Sequence, residues 1–187
     1  MEILRDKAIM LRVRNPKQIT TAIPNSKELP MNKVVVKWGL DEVLSLRSLN
    51  INAPSPITKR YSWPGQYTPF DHQKDTASFM TLNKKSFCFN EQGTGKTASA
   101  IWAADYLMTQ GKVKRVLVVC PLSIMDSAWR NDLFSFAMHR TVDVAHGSKQ
   151  KRKKIINSGA EFVIINYDGV EVVRDEIAAG GFDLFIV

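Results

Sequence analysis

With 187 residues, of which 44% are hydrophobic and 24% charged, the chain has the size and balance of a globular protein with one full core, or a core plus a small module. It contains no apolar run of about 18 residues and no apolar N-terminal segment, and its two cysteines show no metal-ligand spacing, so we expect a cytoplasmic protein without a transmembrane helix or secretory signal. The 26 lysines and arginines against 18 aspartates and glutamates give a net charge of +8, which favours a polyanionic partner.

Residues 1–50 are predicted to form a small β-rich module with one helix. Strands are expected over residues 8–14, 18–23 and 33–38, and the last of these is a β-branched run. Asp41 is expected to cap a short helix that continues to Leu49. The lysines and arginines of this module have two interpretations, a nucleic-acid surface or ordinary solvated strand faces, and the sequence leaves both open.

Residues 51–66 are expected to be a linker, because prolines interrupt this segment repeatedly. The main domain is expected to cover residues 67–187. Its first helix is predicted to begin near Phe70 and to carry Ala77, Phe79 and Met80 towards a core.

The most informative stretch is residues 90–97, which read Asn-Glu-Gln-Gly-Thr-Gly-Lys-Thr. It lies between an apolar run at 86–89, interpreted as a strand, and an alanine-rich helical pattern at 98–110. This is the layout of a phosphate-binding loop, in which backbone N–H groups and a helix N-terminus point at an anion. Lys96 is then placed to reach the β- and γ-phosphates of a nucleotide, and the Thr97 hydroxyl to ligate Mg²⁺. Asn90 stands where the full pattern has its first glycine.

Strands and helices are predicted to alternate after this loop. The continuous apolar runs at 116–120 and 162–165 are typical of strands buried on both faces, and shorter strands are expected at 141–145 and 182–187. Helices are expected at 98–110, 124–138 and 170–178, and a basic helix from Lys149. The alternation predicts an α/β fold, a parallel sheet with helices on both faces. Ligands bind such sheets at the carboxyl ends of the strands, so the loops after residues 89, 120 and 165 are expected to form one surface.

From residue 67 onward the chain resembles the first RecA-like lobe of superfamily-two helicases, specifically the Swi/Snf-type DNA translocases. Residues 69–73 resemble the segment whose glutamine contacts the adenine edge, and residues 91–97 resemble motif I, which in this family commonly has the shortened glycine pattern. The resemblance implies ATP and Mg²⁺ as cofactors, with Lys96 and Thr97 in the catalytic roles. The residues it assigns to the nucleotide are Gln73, Gln92, Gly93, Thr94, Gly95, Lys96 and Thr97.

Two later stretches extend the resemblance towards DNA. Residues 118–123 are similar to motif Ia, and residues 146–148 with Arg152, followed by 163–168, resemble the stretch that leads to motif Ib. They imply contacts with the phosphate backbone of DNA, double-stranded rather than single-stranded. The residues concerned are Pro121, Leu122, Ser123, Asn166, Tyr167 and Asp168. The basic run 149–154 is either a solvated helix face or a further phosphate contact.

Residues 182–187 look like the strand that carries motif II, whose Asp-Glu-x-His would come next. Because this motif, a second lobe and an arginine finger are absent from the sequence, we expect the front part of a longer DNA-dependent ATPase, binding nucleotide weakly and hydrolysing almost none by itself. The N-terminal module looks like what precedes the ATPase in some phage-encoded proteins, which would place the protein in the host cytoplasm.

Two other functions remain open. One is a non-catalytic nucleic-acid-binding module with a vestigial nucleotide loop, and the other is a nucleotide-dependent partner completed by another chain. A two-carboxylate hydrolase is rejected because Asp126 and Asp132 have no partnering pattern. A nucleophilic hydrolase is rejected because Ser123 lacks the Gly-x-Ser-x-Gly elbow.

Overall fold

The computed structural model describes all 187 residues and divides them into two units. The first unit consists of Met1–Tyr61 with Leu82–Lys84, and the second of Ser62–Thr81 with Lys85–Val187. Each has its own hydrophobic core. None of the helices has both the length and the apolarity that crossing a membrane requires.

The first unit is a four-stranded antiparallel sheet with helices. Its strands are β1 (Glu2–Leu4), β2 (Ala8–Arg12), β3 (Lys27–Leu29) and β4 (Lys33–Lys37), in the spatial order β1-β2-β4-β3. Its helices are α1 (Pro16–Ala22), α2 (Leu40–Ser48) and α3 (Ile57–Arg60). The predicted β-rich character is thus confirmed, with two short strands, β1 and β3, that the sequence did not indicate.

One face of this sheet forms the core of the unit. Ile9 and Leu11 of β2 alternate with more exposed neighbours, and so do Val34 and Val36 of β4, so all four point to the same side. They pack with Ile19 and Ile23 from the α1 region and with Val43 and Leu46 of α2. Residues 53, 55, 56 and 57, from the segment expected to be a linker, are also buried.

Two expectations for the first unit were wrong. Residues 18–23, predicted as a strand, lie largely in helix α1. Pro16 occupies the first helical turn, where its missing N–H costs nothing, and Ile19 and Ile23 are four residues apart on the face that packs on the sheet.

Asp41 does not cap α2. Gly39 holds the cap position, and Asp41 lies in the first turn, where its negative charge stabilises the helix N-terminus.

The second unit confirms the predicted α/β class. Its strands are β5 (Val116–Cys120), β6 (Val142–Ala145), β7 (Phe162–Asn166) and β8 (Leu184–Ile186), all parallel, in the order β6-β7-β5-β8. The helices are α4 (Asp71–Leu82), α5 (Lys96–Thr109), α6 (Asn131–Phe136), α7 (Lys149–Ile156), α8 (Tyr167–Val172) and α9 (Arg174–Ala179). A 3-10 turn (Leu122–Ile124) and a π-helical segment (Met125–Arg130) precede α6.

The sheet of the second unit has a core on each face. Val116, Val118 and Cys120 of β5 pack with α5 and α6 on one side, whereas Leu117, between them, packs on the other side with Ile156 of α7. Strands β5 and β7 are buried along almost their whole length. This two-sided burial explains why both were visible in the sequence as continuous apolar runs.

Three expectations for the second unit were wrong. Residues 86–89 form no strand, and β8 pairs only with β5. Phe87 and Phe89 are 81% and 90% exposed, and their rings stack on each other with centroids 5.9 Å apart. Cys88 is consequently not in a buried strand. Phe79 of α4 is exposed rather than directed to a core. The helix expected over 170–178 is two helices, α8 and α9, which meet at Val173.

Candidate nucleotide site and nucleic-acid edge

The glycine loop leads directly into α5. Gly93 and Gly95 have φ angles of +79° and +77°, a region that glycine enters at no steric cost. Gly95 is the N-cap of α5, no side chain caps that helix, and its first turn contains no acidic residue. The free N–H groups and the partial positive charge of the helix terminus therefore lie at the loop, an arrangement that favours an anion.

The loop is held in shape by its own hydrogen bonds. The Nζ of Lys96 donates to the carbonyl oxygens of Asn90 and Glu91, both at 2.9 Å, and the Thr94 hydroxyl donates to the Glu91 carbonyl at 2.8 Å. The ammonium group of Lys96 thus lies against the loop backbone. Asn90, which replaces the first glycine of the pattern, also contacts α4, since its side-chain amide donates to Thr76 at 2.9 Å.

Gln73, predicted to contact adenine, lies against the phosphate loop. Its Oε1 accepts from the Phe70 N–H at 3.0 Å and its Nε2 donates to the Thr94 carbonyl at 3.3 Å. The Nε2 of His72 lies 3.1 Å from the same carbonyl, and its ring stacks on Phe70. The sequence did not assign His72 a role, although its position beside Gln73 at the start of α4 was a usable signal. Both side chains support the loop.

Thr97 is the residue predicted to ligate Mg²⁺ through its hydroxyl. It is half-buried in the first turn of α5, next to Lys96. The chain contains no group of three or more His, Cys, Asp or Glu side chains that could hold a metal ion. A hydroxyl beside an anion-favouring loop fits a metal ion that arrives with phosphates, and does not fit an independent protein-held metal site.

The residues predicted to contact DNA come together at the carboxyl edge of the sheet. Cys120, the last residue of β5, is the register partner of Asn166, the last residue of β7, so the segment after β5 and the start of α8 leave the sheet side by side. The exposed positions are Pro121, Leu122 and Ser123 after β5, and Tyr167 and Asp168 in the first turn of α8. Burial raises the pKa of the Cys120 thiol, which keeps it in the neutral form below this surface.

Asn166 differs from its neighbours because it is only 7% exposed. Its Oδ1 accepts from the guanidinium of Arg152 at 2.9 Å, and the same guanidinium donates to the Ala145 carbonyl at 2.6 Å and, through Nε, to the Gly147 carbonyl at 3.0 Å. Arg152 therefore ties the ends of β6 and β7 together. A side chain at Gly169 would collide with this contact. The signal in the sequence was that Arg152 shares a helix face with Ile156, a buried residue four positions later.

The amino edge of the same sheet carries a closed charge network. Asp105 of α5 is 1% exposed and accepts from Arg140 Nε at 2.6 Å and pairs with His139 Nε2 at 2.9 Å. Arg140 also contacts Glu161 at 2.6 Å, and Glu161 accepts from the Thr141 N–H at 2.9 Å. Burial raises the pKa of Glu161, but the bonds from Thr141 and Arg140 outweigh it and the pKa lies below its ordinary value.

A parallel α/β sheet with a glycine loop opening a helix defines the second unit as a P-loop domain. A family model for the SNF2-related domain matches residues 72–187, and the chain belongs to this family. The predicted Swi/Snf resemblance is thereby confirmed.

The chain is also similar to two known proteins. Protein p41 of Acyrthosiphon pisum secondary endosymbiont phage 1 is 26% identical over 108 residues, covering 56% of this chain and 24% of p41. The structure of the Sulfolobus solfataricus SWI2/SNF2 ATPase core in complex with dsDNA matches with a TM-score of 0.49 and 25% identity, covering 57% of this chain and 23% of that chain. The present chain thus spans about a quarter of the length of either protein.

Proposed function

We propose that the chain is the nucleotide- and DNA-binding front part of an ATP-dependent DNA translocase or helicase. Membership of the SNF2-related domain family supports this function. The observation that carries it is the glycine loop, whose lysine lies beside the uncapped N-terminus of α5. Glycines at positive φ, an uncapped helix N-terminus and a lysine at that terminus are the arrangement that polyphosphate binding requires.

The residues of the loop would divide the tasks of nucleotide binding among them. Lys96 would exchange its two carbonyl partners for oxygens of the β- and γ-phosphates, a charge-assisted contact stronger than those it replaces. The backbone from Gln92 to Gly95 would surround the phosphates, and the Thr97 hydroxyl would hold Mg²⁺. The bound ATP–Mg²⁺ supplies the transferable phosphoryl group. Gln73 would contact adenine and, through Thr94, connect that contact to the loop.

The carboxyl edge of the sheet would bind the DNA backbone. Pro121, Leu122 and Ser123 after β5 and Tyr167 and Asp168 after β7 are exposed and adjacent. Asn166, buried against Arg152, would act by fixing the start of α8. Backbone N–H groups and hydroxyls of such loops are common phosphate ligands. We propose double-stranded DNA as the partner.

We further propose that residues 1–187 bind nucleotide without appreciable hydrolysis. Phosphoryl transfer to water requires carboxylates that hold Mg²⁺ and orient the attacking water. The chain offers Thr97 as a ligand but no cluster of metal-binding carboxylates. Hydrolysis is therefore expected only from a longer chain that adds these groups.

Nucleotide binding and turnover together test this function. We would measure ATP affinity and ATPase rate, with and without double-stranded DNA, for residues 1–187 and for a version extended past Val187. Lys96→Ala is expected to weaken ATP binding roughly 10- to 100-fold, the loss of one charge-assisted contact. Lys85→Ala, at an exposed lysine outside the loop, is the matched control.

The outcomes separate the proposal from its rivals. DNA-stimulated turnover by the extended chain, lost in Lys96→Ala, is the expected result. DNA binding without any ATP binding would instead identify a nucleic-acid module with a vestigial loop. Turnover by residues 1–187 alone would show that a catalytic carboxylate lies among these residues. It would refute the proposal that hydrolysis needs a longer chain.

A further inference from the structure

The positive charge of the chain is concentrated in its first third. Residues 1–61 contain 11 lysines and arginines against 5 aspartates and glutamates, a surplus of +6 out of the total of +8. Residues 62–187 contain 15 against 13 and are nearly neutral. The unit without the nucleotide loop therefore holds most of the charge that attracts a polyanion.

Within the first unit, much of this charge lies on the sheet face opposite the core. Strand register shows on which face of the sheet each side chain lies. Ile9 pairs with Val36 and Leu11 with Val34, all on the core face, so the pairs that alternate with them along the strands lie on the opposite face. We name the opposite side the basic sheet face. Its charged members are Arg12, Lys27, Lys33, Lys37 and the single acid Glu2. Met10 and Val35, half-buried, lie between them.

The basic sheet face is not neutralised by the protein itself. Arg12 and Lys33 are direct cross-strand partners, and like charges in this arrangement repel each other and lower stability. None of the four basic side chains on this face makes an ion pair. A solvated strand face gains nothing from this arrangement, whereas an anionic partner would relieve the repulsion.

The spacing of these charges fits a regular polyanion. Lys33 and Lys37 lie about 13 Å apart along β4, and β2 and β3 place Arg12 and Lys27 about 5 Å to either side of that strand. The face has no asparagine or glutamine that could form a bidentate contact with a base edge. Arg12 is its one side chain with the fork geometry that suits a bidentate contact with guanine, so its contacts would be mainly with phosphates and largely independent of sequence.

We propose that the basic sheet face binds the phosphate backbone of double-stranded DNA, as a second contact surface separate from the strand edge of the P-loop unit. Such a surface would keep the protein on DNA whatever the nucleotide state of the loop, because its charges lie outside the nucleotide site. The proposal goes beyond the function above and does not depend on ATP binding.

The test uses the whole chain, without nucleotide, and a short DNA duplex of random sequence. The double variant Arg12→Gln/Lys33→Gln is compared with Lys17→Gln/Lys59→Gln, which removes the same charge from exposed positions on α1 and α3 of the same unit. The measurement is the slope of log affinity against log salt concentration. The face variant is expected to lower the slope by about 1.8, or about 0.9 for each lost phosphate contact, and the control to leave it unchanged.

Folding does not obscure this test. Removing two mutually repelling charges should leave the melting temperature equal or higher. A second pair on the same face, Lys27→Gln/Lys37→Gln, should lower the slope in the same way.

Equal effects of face and control variants, or no effect of either face pair, would overturn the proposal. Stronger binding of single-stranded RNA or of polyglutamate through this face would also overturn it. Because ATP binding is measured separately, none of these results would affect the assignment of the phosphate loop.

Discussion

At the amino edge of the parallel sheet, the residue before each strand is bonded to other protein groups. Arg115 precedes β5 and donates to the carbonyl oxygens of Ala160, Ile156 and Gly180. Thr141 precedes β6 and bonds to Glu161, which precedes β7. Asp183 precedes β8 and accepts from the backbone N–H groups of residues 114 and 115. The four strand starts are thereby joined into one polar framework.

At the carboxyl edge, the polar residues are mostly exposed. Ser123 follows β5, and Tyr167 and Asp168 follow β7, all on the surface. In the phosphate loop the Lys96 ammonium has only backbone carbonyls as partners. Arg152 is the exception, since it is buried and joins the ends of β6 and β7 beneath these loops.

The contrast separates stability from binding within one sheet. A buried charge that loses its partner costs several kcal/mol, so the amino edge is constrained by folding. Exposed loops contribute little to folding and remain available for ligands. Variants at the two edges should therefore differ in which property they change.

The largest expected effect is at Asp105. Asp105→Ala removes the buried one of the two carboxylate partners of Arg140 and leaves only Glu161, so it should lower the free energy of unfolding by about 1.5–3 kcal/mol. Urea unfolding measures this, with Asp126→Ala as control because its pair with Arg130 is exposed and is worth about 0.5 kcal/mol or less. The folded variant should keep its ATP affinity. Similar losses in both variants would contradict the contrast between the edges.

The sequence predicted the features that depend on local composition. The strands β5 and β7 appear as continuous apolar runs because both of their faces are buried. The glycine loop was visible because a positive φ at Gly93 and Gly95 restricts the residue type. Helix α7 begins at a capping serine, Ser148, whose hydroxyl accepts from the Lys151 N–H.

The features that the sequence did not predict depend on residues distant along the chain. Nothing near Asn166 indicated that a guanidinium 14 positions earlier would bury it. The run 86–89 has the composition of a strand, but a strand needs a neighbour, and β8 pairs with β5 alone. The error at α1 was different, because Pro16 and the spacing of Ile19 and Ile23 already favoured a helix.

The second-largest expected effect is at the two glycines of the phosphate loop. Gly95→Ala requires a non-glycine residue at a φ of +77°, at a cost of about 1–2 kcal/mol, and its Cβ would displace the Gln73 amide from Thr94. Gly93→Ala has the same backbone cost at +79° but meets no neighbouring atom. Both should lower the melting temperature similarly, whereas Gly95→Ala should weaken ATP binding more. Equal ATP affinities would show that Gln73 does not support the nucleotide site.

The smallest effect is a pH dependence at the amino edge. The pKa of Glu161 is lowered because the bonds from Thr141 and Arg140 together exceed the opposing effect of burial. A carboxylate whose pKa is lower in the folded state contributes its full stability above its unfolded pKa, about 4.3, and loses that contribution as the pH falls through the folded value. Wild type should therefore be more stable than Glu161→Gln at neutral pH, and the difference should close in acid.

Melting temperatures of the two proteins, measured from about pH 7 down to about pH 3, provide the comparison. Asp126→Asn, which removes one exposed carboxylate, corrects for the change in net charge. If the difference between wild type and Glu161→Gln stays constant with pH, the ion pair with Arg140 is not what stabilises the amino edge. The stability of that edge would then rest on the bonds from the Arg115 guanidinium to backbone carbonyl oxygens, neither of which changes its protonation over this range.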